Sequence, residues 1–142
     1  MRGQTVTGKE GIVSHQVQLI LAVLLILQAK HFVADFVIQT PYQFLNKGKY
    51  GHPGGIIHAG IHALGSTLAF LVITPSLRLG LAIVACEFVA HYHIDWLKEH
   101  TVKAAQWKFP QSEFWWTFGA DQALHQVTYV VIAGVLAWGA GL

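Results

Sequence analysis

Charge and cysteine are what this 142-residue chain has least of. Only 11% of its residues are charged, against about 25% in soluble domains, which excludes an ordinary globular protein with a solvated ionic surface. Cys86 is the single cysteine, so there is no internal disulfide and no thiolate metal cluster. Its natural reading is a small buried hydrophobe on a helix. The formal net charge of +2, with no basic stripe, argues against a nucleic-acid partner. No cleavable signal peptide is expected. The first apolar run begins near Val17, lacks an Ala-x-Ala-type cleavage site and continues without a break. No internal repeat at solenoid periods is present.

What the chain does have is long apolar runs. Its composition is 54% hydrophobic, rich in Leu, Ile, Val, Ala and Gly, and this pattern predicts an integral membrane protein. The length suits one domain. Residues 1–14 read as a polar N-terminal tail, loose or a short surface helix, and residues 15–142 as a four-helix transmembrane domain. The first helix is expected from about His15 to Gln39, ending before Pro41. A Gly-, Pro- and Lys-containing loop follows at the water boundary, with one short turn near Tyr42–Leu45. The second helix should run from about Gly55 to Ile73, and the third from about Pro75 to Glu99. After a polar tract the fourth should begin near Ser112, a plausible N-cap, with Glu113 at the positive end of its dipole, and continue to Trp138. The expected fold is all-α, an integral-membrane antiparallel four-helix bundle.

Each expected helix carries two metal-ligand residue types one turn apart: His31 and Asp35, His58 and His62, His91 and Asp95, Asp121 and His125. Spacing of i, i+4 puts both members of a pair on one helix face. The pairs lie late in the first and third helices and early in the second and fourth. An up-down-up-down bundle therefore gathers all four at one end. That end also carries Lys47, Lys49, Lys98, Lys103 and Lys108, against Arg2, Lys9 and Arg78 opposite, which places the metal site toward the cytoplasm. Trp96, Trp107, Trp115 and Trp116 fit an aromatic belt near the same boundary.

An Asp in the middle of a spanning helix costs about 2.5–3.5 kcal/mol on insertion scales, so Asp35, Asp95 and Asp121 unpaired would cost about 8–10 kcal/mol. Intramembrane ionisable groups need a partner, and the partner these residues suit is a divalent cation: Zn, Fe or Mn. Eight ligands are too many for one four-coordinate zinc. Two metal ions with about four ligands each, as in soluble di-iron bundles, fit better. Three Asp and one hydroxide would balance two such ions. Glu87, one turn before His91, forms a ladder with His91 and Asp95, and is the candidate catalytic base. It could also ligate or orient an imidazole. Lys30 and Lys98 flank two pairs. Snorkelling to the headgroups is their ordinary reading, and holding an anionic substrate group the alternative. Gln39, Gln122 and Gln126 could donate to ligands or bond helix to helix. His93 points to another face, and His15, His52 and His100 fall near helix ends or loops. Gly60, Gly65, Ala59 and Ala63 favour close helix packing.

The run Lys30-His31-Phe32-Val33-Ala34-Asp35-Phe36-Val37-Ile38-Gln39-Thr40 resembles the opening motif of a bacterial membrane family, domain-of-unknown-function 3307. The runs His58 to His62, Glu87 to Lys98 and Asp121 to His125 are similar to that family's remaining signatures. The resemblance covers about residues 20 to 130 and implies a multi-pass protein of the bacterial inner membrane, but no activity. A more distant likeness is to bacterial inner-membrane metal-dependent hydrolases.

The function expected is a membrane-embedded, dinuclear metal-dependent hydrolase acting on a lipid-soluble substrate. Two metals would lower the pKa of a bridging water and polarise a phosphoryl or carbonyl oxygen. Membrane lipid is the expected surrounding, with partner chains of a membrane complex or a homo-oligomer as further associations. The alternatives are an accessory subunit with a structural metal or haem site, a di-iron oxidoreductase, and ion or metal transport.

Overall fold

The structure, a computed structural model, describes the backbone of residues 4–142, with side chains described from His15 onward. Among the described residues it is all-helical, without strands. Helix α1 spans Gln4–Phe32 and passes into a π-helical turn, Val33–Val37. The short α2 is Pro41–Phe44, and α3 is Pro53–Gly65, continued by a 3-10 stretch, Ser66–Leu71. The long α4 and α5 are Leu77–Ala104 and Ser112–Gly139.

Local chemistry explains most of these boundaries. Thr40 and Gln43 form a reciprocal capping box around Pro41, which starts α2. The His52 side chain accepts the Gly54 N–H at 3.0 Å, and Pro53 opens α3. Ser76 caps α4 through the Leu79 N–H, directly after Pro75. The expected cap at Ser112 shifts by one residue: Gln111 is the N-cap, without a side-chain bond, and Glu113 lies in the first turn.

Other expectations need correction. Residues 4–14 continue the helix into α1, and residues 1–3 lie outside the described residues. The first helix does not remain α-helical to Gln39; its last turn widens into the π segment. The second is α-helical only to Gly65, and the third extends to Ala104.

Among the described residues three helical segments are long and apolar enough to cross a membrane: His15–Val37, Pro53–Leu71 and Leu77–Ala104. Helix α5, though as long as α4, is diluted near its middle by Asp121, Gln122, His125 and Gln126. Large apolar side chains also cover the outward faces, among them Leu25, Leu71, Leu81, Val130 and Trp138. A water-soluble monomer does not normally carry so much contiguous apolar surface.

The interior divides into two layers. The apolar layer joins Val23 and Leu27 of α1 to Ala69 and Ile73, Ile83 of α4, and Tyr129, Ile132, Ala133 and Leu136 of α5. Beyond it lies a polar layer of buried His31, His58, His62, His91, Asp95, Asp121 and His125. From the apolar to the polar layer, residue numbers rise along α1 and α4 and fall along α3 and α5. Helix α4 packs on α3 and α5, and α1 on α5 and the 3-10 stretch.

The 41–55 loop closes over the polar layer rather than trailing into water. The Gly51 N–H donates to the Tyr92 hydroxyl at 2.6 Å, and Tyr50 packs edge-on against Tyr92 and Trp96. Gly48 permits this closure, because a Cβ there would lie 2.7 Å from Glu99 Cβ on α4.

Candidate metal centre

Asp35 sits in the π turn, where the Ile38 N–H reaches back five residues to the Val33 carbonyl at 3.0 Å. Such turns recur at functional sites. Its Oδ2 lies 3.2 Å from His31 Nε2, and its Oδ1 lies 3.1 Å from His58 Nε2 and 3.2 Å from His62 Nε2. The one-turn spacing on α3 sets the His58 and His62 ring centroids 4.7 Å apart. His62 faces His91 of α4 at 3.7 Å between ring centroids, and His91 faces His125 of α5 at 4.2 Å. Asp95 Oδ2 lies 3.1 Å from His58 Nε2 and 3.5 Å from His91 Nε2.

Many of these atoms are close without being hydrogen-bonded. Asp95 Oδ2, Asp121 Oδ1, His62 Nδ1, and both ring nitrogens of His91 and His125 are buried and have no hydrogen-bond partner among the described residues. Leaving such groups unmet inside a protein costs about 1–3 kcal/mol each. Donor atoms around a tetrahedral zinc stand about 3.3 Å apart, with their lone pairs aimed at the ion and not at one another. Crowded, buried and unpartnered donors fit that arrangement.

Two groups of side chains could each hold a metal ion. Ligand atoms of Asp35, His58, His62 and His91 all lie within 4.8 Å of one another, and so do those of His91, Asp95 and His125. The groups share His91. The structure thus brings six of the eight expected ligands together and leaves two beside them. His31 has both ring nitrogens engaged, Nδ1 with the Tyr129 hydroxyl at 2.8 Å and Nε2 with Gln122 Oε1 at 3.2 Å. It falls in neither group, and its Nε2 lies against Asp35. Asp121 stands 3.8 Å from His125 Nδ1 and accepts from Gln122 Nε2 at 3.1 Å.

Glu87 falls in neither group. Its Oε1 is paired with Lys30 Nζ at 2.5 Å, and Lys30 also donates to the His62 carbonyl at 3.0 Å. The snorkelling reading of Lys30 is therefore incorrect: a carboxylate and a carbonyl inside the bundle hold the ammonium better than distant headgroups. Lys98 does not snorkel either. It pairs with Glu99 at 2.7 Å and lies over the Phe118 ring. Gln39 Nε2 lies 3.2 Å from the His58 ring and 3.4 Å from Asp35 Oδ1, so Gln39 and Gln122 both touch ligand-type side chains. Gln126 is exposed and serves neither expected role. Cys86 is also exposed, not buried, because α4 turns Ile83 and Glu87 inward instead.

Two residues of this layer escape the pattern of pairs. Lys47, counted above as a loop charge, turns inward and donates to Asp95 Oδ1 at 3.1 Å. Burial opposes its charge, but the Asp95 and Asp35 carboxylates outweigh burial and hold its pKa above the usual lysine value. The small residues Gly48, Gly51 and Gly54 beside it were the available signal for close approach. Tyr129 is fully buried against His31. It continues the ladder Asp121, His125, Tyr129 by one more turn, so the same spacing rule reaches it.

These lysines also revise the charge count. Lys30 offsets Glu87 and Lys47 offsets one Asp, which leaves two negative charges among Asp35, Asp95 and Asp121 when the imidazoles are neutral. One divalent ion neutralises that remainder. A second ion would bring excess positive charge and hence an anionic ligand.

The chain belongs to the family described as protein of unknown function (DUF3307), whose profile matches residues 20–140. That span holds both metal-type groups and Lys47. No curated protein and no solved structure matches the chain.

Proposed function

We propose that this family member is a membrane-embedded metalloprotein, an antiparallel four-helix membrane bundle whose two-metal centre hydrolyses a lipid-soluble substrate. The observation that carries the reading is the pair of buried groups, Asp35, His58, His62 and His91, and His91, Asp95 and His125. The opposed residue order of α1 and α4 against α3 and α5 supports the bundle, and the outward apolar faces support a bilayer around it. With His91 given to the four-residue group, that group suits a closed zinc-type site, whereas Asp95 and His125 leave positions for water or substrate on a second ion. An ion there would acidify its water and polarise a bound oxygen. Asp121, with one free oxygen beside His125, is better placed than Glu87 to take a proton from that water. Imidazole with carboxylate accommodates Zn, Fe or Mn. Haem suits the centre poorly, since His91 has the rings of His62 and His125 at 3.7 and 4.2 Å between centroids, too close to admit a macrocycle between them.

A second reading is an accessory subunit with a structural metal, for which the four-residue group alone would suffice. Elemental analysis of detergent-purified protein tests both, beside His125→Ala and the surface control His100→Ala. Up to two divalent ions are expected in wild type and in the control. His125→Ala should retain the ion of the four-residue group only. Wild-type protein without stoichiometric metal would defeat both readings, and a variant with unchanged metal content would remove the second site.

A further inference from the structure

We infer that the polar cavity at the mouth of the metal centre binds the phosphate group of an anionic amphiphile. The inference rests on the metal reading above and assigns its substrate class. The cavity, about 290 Å³, is bounded by Asp35 and Asp121 on the side of the centre, Gln39 and Gln122 between, and Lys47 and Lys98. It thus adjoins the metal-type groups through Asp35 and the three-residue group through the Asp121 that stands beside His125.

An ammonium has three N–H donors. Lys47 uses one on Asp95 and Lys98 one on Glu99, so each retains donors for a ligand in the cavity they both line. The closed loop places Lys47, and Lys98 follows Asp95 by three residues on the same face of α4, so the two lysines reach the cavity from different elements. Two divalent ions would leave the polar layer with excess positive charge, as counted above, and that excess selects an anion. Phosphate has the charge, the tetrahedral oxygens and the affinity for both metal and lysine. The volume admits a phosphate with a small head but not a whole lipid. Phe36 and Phe44, both largely exposed, stand at the rim, where the apolar tail of such a ligand would leave.

The test is calorimetric titration of metal-replete protein in neutral detergent, with metal content measured on the same samples. The probes are dihexanoyl phosphatidic acid, dihexanoyl phosphatidylcholine and inorganic phosphate. Phosphatidic acid should bind, and Lys98→Gln should weaken it about tenfold or more with metal content unchanged, while Lys98→Arg should restore most of it. Tighter binding of phosphatidic acid than of inorganic phosphate identifies a lipid head as the source of the group; equal binding identifies free phosphate. No binding by metal-replete wild type, or equal binding by wild type and Lys98→Gln, overturns the assignment, as does phosphatidylcholine binding as tightly as phosphatidic acid. Lys98-dependent binding to protein that takes up no divalent ion on loading would keep the cavity assignment and defeat the metal reading instead.

Discussion

The apolar and polar halves of the interior are built from the same four long elements and obey different rules. In the apolar half, Val23, Leu27, Ile83, Ile132 and Leu136 satisfy one another by contact. Nothing there requires an outside partner, and lipid would serve nearly as well as protein around them. In the polar half almost nothing is complete. Of the buried side-chain atoms without a hydrogen-bond partner among the described residues, all but Ser66 Oγ lie on His62, Glu87, His91, Asp95, Asp121 or His125. A helix bundle can hold itself together at one end and depend on a ligand at the other. The comparison is sharp enough to be broken by experiment.

The largest expected effect is on metal. His62→Ala removes a ligand of the four-residue group and should abolish its ion in elemental analysis, with helix content by circular dichroism retained because the apolar half is untouched. Acid should do the same to wild-type protein. Imidazole ligates only when neutral, and its ordinary pKa is about 6.5. Occupancy is therefore full above that value and declines as pH falls through and below it. If occupancy persists near pH 4, the imidazoles are not ligands and the contrast between the halves dissolves.

Next is Lys47→Met. It leaves Asp95 buried beside Asp35 without the ammonium that now holds it at 3.1 Å. Removing one partner of a buried ion pair costs about 3–5 kcal/mol. That loss should appear in denaturation of chelated protein and shrink when metal is restored, since a divalent ion supplies the missing positive charge. Equal losses with and without metal would mean that the cation and Asp95 do not share a site. In the other half, Leu27→Ala should cost about 2 kcal/mol, the lower end of the range for buried leucines, on the proposed reading that lipid rather than water surrounds the bundle. Its metal content should equal wild type. A fall in metal content would show that the halves are mechanically coupled and not independent.

The ligand-type pairs were legible because the helical repeat is strict: residues four apart share a face whatever surrounds them. The split of eight residues into six and two was not, because it depends on side-chain partners from other helices. His31 is occupied by Tyr129 and Gln122, which lie more than ninety positions away. Lys30 and Lys47 depart from their expected places for one reason. A lysine near an expected membrane boundary reads as headgroup-facing unless its carboxylate partner is known, and the long-range partners here are Glu87 and Asp95. The π turn at Val33–Val37 has no sequence signature that we can identify, yet it carries Asp35. The outward face of Cys86 follows from which side of α4 the ladder Ile83, Glu87 and His91 occupies, a fact fixed only once α3 and α5 are in place.

The smallest predicted effect bears on whether His31 belongs to the metal sites or only orients them. Tyr129→Phe deletes the hydroxyl at 2.8 Å from His31 Nδ1 while keeping the ring in the apolar layer. One buried hydrogen bond is worth about 1 kcal/mol, so global stability should change by about that much. If His31 only steadies Asp35, metal affinity should fall by about tenfold, the low end for loss of a partner to a ligating group, with stoichiometry intact. If His31 itself ligates, deleting the bond that fixes its ring and tautomer withdraws a ligand from the ion. Loss of one whole equivalent of metal in Tyr129→Phe would place His31 among the ligands and make the apolar layer, through Tyr129, a support of the metal centre.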